Sequence, residues 1–328
     1  MTRTVIATLL AAFLVLGCDG LNNASDDDNG ATILAGADFF PSTPGYGVRY
    51  RCTDTHSTRN FDGDVWAVAQ KEEVDPALDR SYGLIQTFTD IGSGTGSYTS
   101  STMAAAERTF TDGLSLFYYG AGVPVGNQAH YPRILAALPA TFSGGVTFTV
   151  DWNLYGAVDY TVTLLGEYTA DGTTFQGTVR VDADVPAPDG DDPYYTGSGY
   201  AILAPGVGIV ESSFTRDDGS MNSYVYQETQ NLGLNTISGT VTTDGTTPAE
   251  DYVIAMSTYN ITSWDVADSS GNFSFEAYGP DVPVFIGKDD DGDSSIDYDN
   301  PTSDYPKRYT IPNITGDTTG VTIDLSGI

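Results

Sequence analysis

The residues most able to do chemistry lie in a short acidic segment near the C-terminus. Residues 289–300 have the sequence DDDGDSSIDYDN, in which Asp289, Asp291 and Asp293 alternate with other residues. Calcium takes six to eight hard oxygen ligands. Alternate carboxylates on a tightly curled loop can converge on one ion, so this spacing predicts a calcium site. The alternative is a solvated acidic turn in a chain that is rich in aspartate.

This acidic segment resembles the calcium loops of the EF-hand and dockerin type. The resemblance implies these ligands: Asp289, Asp291, Asp293, Ser295 through its main-chain carbonyl, Asp297, and Asp299. Two positions depart from the pattern. Ser294 replaces a glycine with positive φ, and Asn300 replaces a bidentate glutamate, whose role would pass to Asp299. Weak binding is therefore expected, with a Kd on the order of 10⁻⁴–10⁻³ M.

The N-terminus has the pattern of a secretory signal. Basic Arg3 precedes an apolar run over residues 5–17, which ends in Gly17 and Cys18. The run is shorter than the ~20 residues that span a bilayer. Its ending, Val-Leu-Gly-Cys, resembles the lipobox of bacterial lipoproteins, which implies cleavage before Cys18 and acylation of its thiol. Residues 1–17 are thus predicted to be a signal peptide; the alternative is a plain secretory signal in which Cys18 is incidental.

Residues 18–44 are predicted to be the lipidated cysteine followed by an acidic tether, because the run Asp26–Asp28 and its polar neighbours cannot form a core. Acidic tethers of this kind resemble surface-export signals of some bacterial lipoproteins. Asp19, directly after Cys18, instead resembles an inner-membrane retention signal. The expected location is the bacterial cell envelope, with the outer membrane, the cell surface and the periplasmic face all left open.

The charge of the chain excludes one class of partner. Asp and Glu number 44 against 13 Lys and Arg, giving a formal net charge of −31. Nucleic-acid binding requires basic patches, so no nucleic-acid partner is expected. The same charge repels anionic lipid headgroups, so membrane attachment should depend on the acyl group.

Residues 45–233 are predicted to form an antiparallel β domain, because apolar and polar residues alternate along several segments. Six apolar residues are expected on one face: Phe148, Val150, Val162, Leu164, Val179 and Val181. The segments 167–181 and 200–210 resemble a hairpin of curved-sheet envelope proteins of the lipoprotein-localisation-factor type. This implies a curved sheet, either a half-barrel or a sandwich. Helical periodicity occurs only around Ala104–Arg108 and Arg133–Leu138. The second of these segments is expected to cap the concave apolar side of the curved sheet or to fill it completely.

Residues 237–328 are predicted to form a second, smaller β domain. Strand-like segments begin at Ile237, Asn272 and Val282, and a further one lies near the C-terminus. Their order resembles the carboxypeptidase-regulatory-like, transthyretin-like module, which implies a small prealbumin-like or Ig-like β-sandwich without catalytic activity. The fold class is therefore all-β: a curved antiparallel sheet followed by a small sandwich.

No catalytic motif supports an enzyme. His56 and His130 are the only histidines, and neither begins a His-x-x-Glu pair for zinc. The nucleophile elbow Gly-x-Ser-x-Gly is missing from the sequence. Cys52 is expected to be a buried small hydrophobic residue. The predicted function is that of a lipid-anchored, non-catalytic envelope protein that binds an apolar molecule, a carbohydrate or a protein; the alternative is a membrane-anchored hydrolase with an unrecognised active site.

Overall fold

The computed structural model describes residues 32–41, 43–57, 60–75, 80–89, 101–109, 114–121, 133–151, 157–185, 196–256, 264–289, 292 and 307–327. These residues form β-strands and two short 3₁₀ helices, Gly36–Phe39 and Leu325–Gly327. The all-β class predicted from the sequence is confirmed. Within the described part of the chain, no helix is long and apolar enough to cross a membrane.

The larger domain is built from the first fourteen strands. They are β1 (Leu34–Ala35), β2 (Tyr46–Asp54), β3 (Phe61–Asp75), β4 (Arg80–Thr89), β5 (Ser101–Thr109), β6 (Ser115–Ala121), β7 (Arg133–Pro139), β8 (Thr141–Phe142), β9 (Val146–Asp151), β10 (Ala157–Ala170), β11 (Thr173–Val185), β12 (Gly197–Ala204), β13 (Gly208–Arg216) and β14 (Met221–Asn231). Tight turns with positive φ at Asp171 and Gly172, at Gly206 and at Gly219 join neighbouring strands. The sequence predicts turns at these places, because Asp171-Gly172, Pro205-Gly206 and Asp218-Gly219 are turn-forming pairs between strand-like segments.

Twelve of these strands form one antiparallel sheet made of two meanders. Strands β9 to β14 follow each other from one edge of the sheet to its centre, and β2 to β7 continue in the same direction from the centre to the other edge. The meanders join where β14 pairs with β2, which brings Tyr224 opposite Cys52. Strand β14 is therefore the last strand of the larger domain in the chain but lies at the centre of its sheet.

The sheet curls strongly enough for β7, at one edge, to pack against β11 and β12 near the other edge. The enclosed space is filled by large side chains, among them Phe39, Phe61, Leu138, Tyr160 and Leu203, all almost completely buried. Cys52 belongs to the same core, as expected, and burial raises the pKa of its thiol to about 12.

The two helical expectations are wrong. Ala104–Arg108 lies within β5, and Arg133–Leu138 lies within β7. In β7, consecutive Ala136, Ala137 and Leu138 are fully buried, because both faces of the strand are covered. A short run of consecutive apolar residues shows no hydrophobic periodicity, so the sequence does not distinguish such a strand from a buried helix.

Five of the six residues expected on one face are confirmed in the core. Val150, Val162, Val179 and Val181 are buried there, and Phe148 packs against them. Leu164, the sixth, is 42% exposed. The reason is that β9 pairs with β10 only as far as Val162, which leaves Leu164 on an uncovered edge.

The smaller domain is a two-sheet β-sandwich, as the sequence predicts. Its strands are β15 (Leu234–Thr242), β16 (Tyr252–Ala255), β17 (Trp264–Val266), β18 (Asn272–Tyr278), β19 (Val282–Lys288), β20 (Lys307–Ile311) and β21 (Thr318–Asp324). One sheet has the order β18-β15-β21, with β15 and β21 parallel, and the other has the order β17-β16-β19-β20. Ile237 and Phe273 of the first sheet share a core with Ile254 and Val284 of the second.

The two domains pack directly against each other. Val68 on the outer side of β3 is completely buried in the core of the smaller domain, with Trp66 beside it. The Leu232 N–H donates to the Gly45 carbonyl at 2.7 Å. A Cβ at Gly45 would lie 2.6 Å from the Leu232 carbonyl oxygen, so this close approach requires glycine.

The folded part of the larger domain begins earlier than the tether boundary at residue 44 that was expected from the sequence. Phe39 and Phe40 are buried in its core, and the Asp38 carbonyl accepts a hydrogen bond from the Gly206 N–H at 2.6 Å. The two phenylalanines, the pairing of β1 with β8 and this main-chain hydrogen bond hold the segment against the sheet.

Candidate functional site

The outer face of the large sheet carries two parallel rows of polar side chains that run across the strands. Successive residues of a strand point to opposite faces, so the polar residues between the core positions all lie outside. Cross-strand pairing aligns the first row over eight neighbouring strands, β9 to β14, β2 and β3. In that order its members are Thr147, Thr161, Asp182, Tyr200, Ser213, Ser223, Thr53 and Asp62.

A second row lies two residues further along each strand and is also exposed. Its members, from β9 to β14, are Thr149, Asp159, Asp184, Ser198, Thr215 and Met221. Hydroxyl and carboxylate groups dominate both rows. These groups can donate and accept hydrogen bonds over a continuous strip of the surface.

A groove of about 530 Å³ lies between the two rows where they cross β10 to β13. Its walls are row residues, and Arg180, Ala183 and Gly199 complete the lining. Gly199 allows the close approach of β12 and β13, because a Cβ there would lie 2.4 Å from the Ser213 carbonyl oxygen. The groove is therefore built into the sheet rather than formed by mobile loops.

Tyr200 is held in the groove by a network of strong contacts. The Tyr200 and Tyr168 hydroxyls donate to the two carboxylate oxygens of Glu211, at 2.7 and 2.6 Å. The Arg180 guanidinium lies 4.1 Å from the centroid of the Tyr200 ring and donates to both oxygens of Asp182. The ring is therefore held in a fixed orientation, with Arg180 over one of its two faces.

This network changes how its members ionise. Partial burial, with the Glu211 hydrogen bond as the next cause, raises the pKa of Tyr200 to about 12, and the same two causes raise the pKa of Tyr168. The hydrogen bonds to Asp182 raise the pKa of the Arg180 guanidinium. At neutral pH both phenols are therefore protonated and act as donors.

The groove carries an excess of negative charge. Asp159 and Asp184 lie directly opposite each other on β10 and β11. The Thr149 hydroxyl donates to Asp159, while Asp182 is occupied by Arg180. Like charges that lie directly opposite each other on paired strands destabilise the sheet. The arrangement favours ligands that donate hydrogen bonds and disfavours anionic ones.

A buried polar cluster lies at the ends of β2, β13 and β14. Arg216 and Asp54 form a bidentate ion pair at 3.0 and 2.8 Å, with both side chains completely buried. Asn222 donates to Asp54 at 3.2 Å, and Arg216 donates to the Ser220 hydroxyl at 2.9 Å. This fully buried ion pair acts as a structural clamp, since the two charges neutralise each other in place.

His56 lies beside this clamp but is not arranged for nucleophilic catalysis. Its Nε2 atom is 3.5 Å from Asp218, and the Ser220 hydroxyl and N–H hold the pKa of that Asp218 carboxyl below its ordinary value. The carboxylate thus lies between the imidazole and the serine, whereas a Ser-His-Asp triad places the imidazole in the middle. His130 lies outside the described residues.

Only the start of the predicted calcium loop lies within the described residues. Asp289 is 8% exposed, and its Oδ1 accepts a hydrogen bond from the Gly292 N–H at 2.7 Å, where Gly292 has a φ of +79°. The other predicted ligands, Asp291, Asp293, Ser295, Asp297 and Asp299, lie outside the described residues, as does Cys18. In the part that is described, no group of three or more His, Cys, Asp or Glu is placed to hold a metal ion.

Sequence reasoning did not find the polar rows or the groove. The alternation within each strand was visible, but the rows depend on register between strands that lie far apart in the chain. Ser223 and Thr53, for example, are neighbours only because β14 pairs with β2. The usable signal was the repeated occurrence of Ser, Thr and Asp at the outward positions of consecutive strands.

No family model matches the chain, and no curated protein matches it. Two solved structures are similar to it: a "putative lipoprotein" from Parabacteroides distasonis and a "putative exported protein with YmcC-like fold" from Bacteroides fragilis. The first is 14% identical and covers 58% of this chain and 98% of its own, and the second is 12% identical and covers 60% and 100%. Both superpose with a TM-score of 0.30.

Proposed function

We propose that this protein is a lipid-anchored, non-catalytic component of a bacterial cell envelope that binds a carbohydrate in the groove between the two polar rows. The observation that carries the proposal is the groove itself, which combines a fixed aromatic ring with hydroxyl and carboxylate groups. An aromatic face packs against the C–H face of a sugar, and the surrounding oxygens accept hydrogen bonds from its hydroxyls.

The filled interior supports this choice over a carrier for an apolar molecule. A carrier needs an uncovered apolar cavity. Here Leu138, Tyr160 and Leu203 fill the inner side of the curled sheet, and β7 packs across it against β11 and β12. Among the side chains that the structure describes, this close-packed core leaves no room for a ligand of lipid size without rearrangement.

Binding of neutral oligosaccharides to the purified full-length protein tests the groove. Calorimetry with a panel of gluco-, manno- and xylo-oligosaccharides should identify a ligand, and Tyr200→Ala should weaken its binding roughly tenfold. Thr174→Ala is the matched control, because Thr174 is exposed on β11 but outside both rows. Equal binding by the wild type and Tyr200→Ala, in a variant with an unchanged melting temperature, contradicts the proposed site.

The lipid anchor at Cys18 is the second part of the proposal, and the lipobox-like sequence supports it. Intact-mass spectrometry of protein from a bacterial host should give a mature chain that begins at Cys18 and carries acyl chains. Cys18→Ser should remove the acyl mass and the membrane association. A mature N-terminus elsewhere, or a Cys18 without acyl mass, contradicts the anchor.

Calcium binding by the acidic loop is a further candidate function, favoured by the geometry at its start. The hydrogen bond from Gly292 to Asp289 begins to curl the chain back on the first predicted ligand. A cation that binds only the folded state stabilises it, by about 1.4 kcal/mol at ten times Kd. Calcium should therefore raise the melting temperature more than magnesium or NaCl of equal ionic strength. Asp291→Ala should abolish that difference, and a calcium effect no larger than that of the salts contradicts the site.

A further inference from the structure

The polar rows extend well beyond the groove. The groove spans only β10 to β13, whereas the first row crosses eight neighbouring strands, from Thr147 on β9 to Asp62 on β3. Adjacent strands are about 4.8 Å apart, so the row is roughly 34 Å long. A site for a single sugar would need only the groove.

From this length we propose that the ligand is a linear, uncharged polysaccharide that lies across the strands along the first row, with the groove as its central contact. The inference rests on the proposed function and extends it from a sugar to a chain. The row offers side-chain oxygens at nearly regular spacing, which matches a polymer with repeated hydroxyl groups rather than a compact ligand.

The charges along the row select against anionic polymers. Arg180 is bound by Asp182, and Arg51, beside the far end, contacts Asp62 at 2.7 Å and Asp64 at 3.6 Å. These guanidinium groups are already neutralised by carboxylates. The remaining acids, Asp159 and Asp184, repel sulfated, phosphorylated or uronate chains.

The smaller domain leaves this strip open. It covers the outer side of β3 at Trp66 and Val68. Asp62 lies four residues before Trp66, about 13 Å away along an extended strand, and its side chain is 56% exposed. The row members on β9, β10 and β14 are likewise accessible or partly accessible. A chain can therefore pass over the whole row without meeting the second domain.

Affinity as a function of chain length tests the inference. Full-length protein is titrated with cello-, manno- and xylo-oligosaccharides of two to eight units, and with oligogalacturonates as the anionic counterpart. The preferred neutral series should gain affinity by roughly tenfold or more beyond the length that fills the groove, since each added hydrogen bond strengthens binding. The anionic series should bind more weakly at every length.

A double substitution at the far end separates the strip from the groove. Ser223→Ala with Thr53→Ala should weaken binding of the longest chains by roughly five- to tenfold and leave the shortest chains unaffected. The matched control is Thr169→Ala with Thr174→Ala, an exposed hydroxyl pair 3.0 Å apart that lies outside the rows. Melting temperatures of both double variants verify that each is folded.

The outcomes distinguish failure of the strip from failure of the groove. Short chains that bind with no gain at greater length overturn the inference and leave the groove intact. Binding to none of the neutral chains overturns both. Tighter binding of oligogalacturonates overturns the charge argument, and with it the assignment of an uncharged ligand.

Discussion

The two faces of the large sheet share one backbone but have opposite chemistry. The inner face carries Val65, Tyr160, Val181 and Leu203 in a filled core, while the outer face carries Ser, Thr, Asp and Tyr in aligned rows. Because the side-chain period of a strand is two, a slip of one residue would exchange the faces. Burial of the inner face therefore fixes the register, and the register in turn aligns the outer rows. The difference teaches that the core specifies the alignment of the outer polar rows, and with it the surface on which we propose that a ligand binds.

Removal of Asp54 should have the largest effect on stability, because it leaves Arg216 charged inside the protein. Asp54→Ala is expected to lower the free energy of unfolding by about 3–5 kcal/mol. Asp62→Ala is the outer-face counterpart, since it breaks the exposed pair with Arg51 and should cost only about 0–1 kcal/mol. Urea unfolding followed by circular dichroism measures both. Similar losses for the two variants would mean that the faces do not differ as described.

Two leucine substitutions, one in the core and one at the surface, compare the two faces again, with a somewhat smaller expected loss of stability. Leu203→Ala creates a cavity in the core and should cost about 2–5 kcal/mol. Leu165→Ala, at a position that is 37% exposed, should change stability by less than about 1 kcal/mol. Thermal unfolding of the two variants under the same conditions gives the difference. If Leu203→Ala is tolerated as well as Leu165→Ala, the interior is not close-packed and a cavity becomes tenable.

The smallest expected effect is on ionisation at the outer face. The pKa of Tyr200 is raised to about 12, above its ordinary value of 10, so its contribution to stability is complete below about pH 10. That contribution is lost as the pH rises from about 10 towards 12. Spectrophotometric titration should show several late-ionising phenols, because the pKa values of Tyr50 and Tyr168 are raised as well. Tyr200→Phe should remove one of them, and Glu211→Gln should lower the pKa of Tyr200. An unchanged number of late-ionising phenols in Tyr200→Phe would mean that Tyr200 is not one of them.

Local features were predictable from the sequence, and long-range ones were not. Alternation identified strands such as β10 and β11, and Asp-Gly and Pro-Gly pairs identified their turns, because these signals lie within a few residues. The helical expectation for Arg133–Leu138 was wrong, since burial of β7 on both faces depends on how the whole sheet curls. Exposure of Leu164 likewise depends on where β9 ends, a property of a different strand.

The same division applies to the candidate sites. The acidic loop and Cys18 are contiguous motifs and were predicted from the sequence, and both stay predictions. The groove is composed of residues from β10, β11, β12 and β13 that no local motif connects. Its key network links Tyr168 to Glu211 across 43 residues. Only the pairing of strands brings such groups together.

The most direct test of the account is a crystal structure of the protein in complex with the longest neutral oligosaccharide that it binds. We expect the chain to lie on the outer face across the strands, with one sugar against Tyr200 and others near Ser223 and Thr53. The interior should remain filled by Leu138, Tyr160 and Leu203. A sugar chain inside the curled sheet, on the smaller domain, or parallel to the strands would contradict the central claim that the register set by the core builds the binding surface on the opposite face.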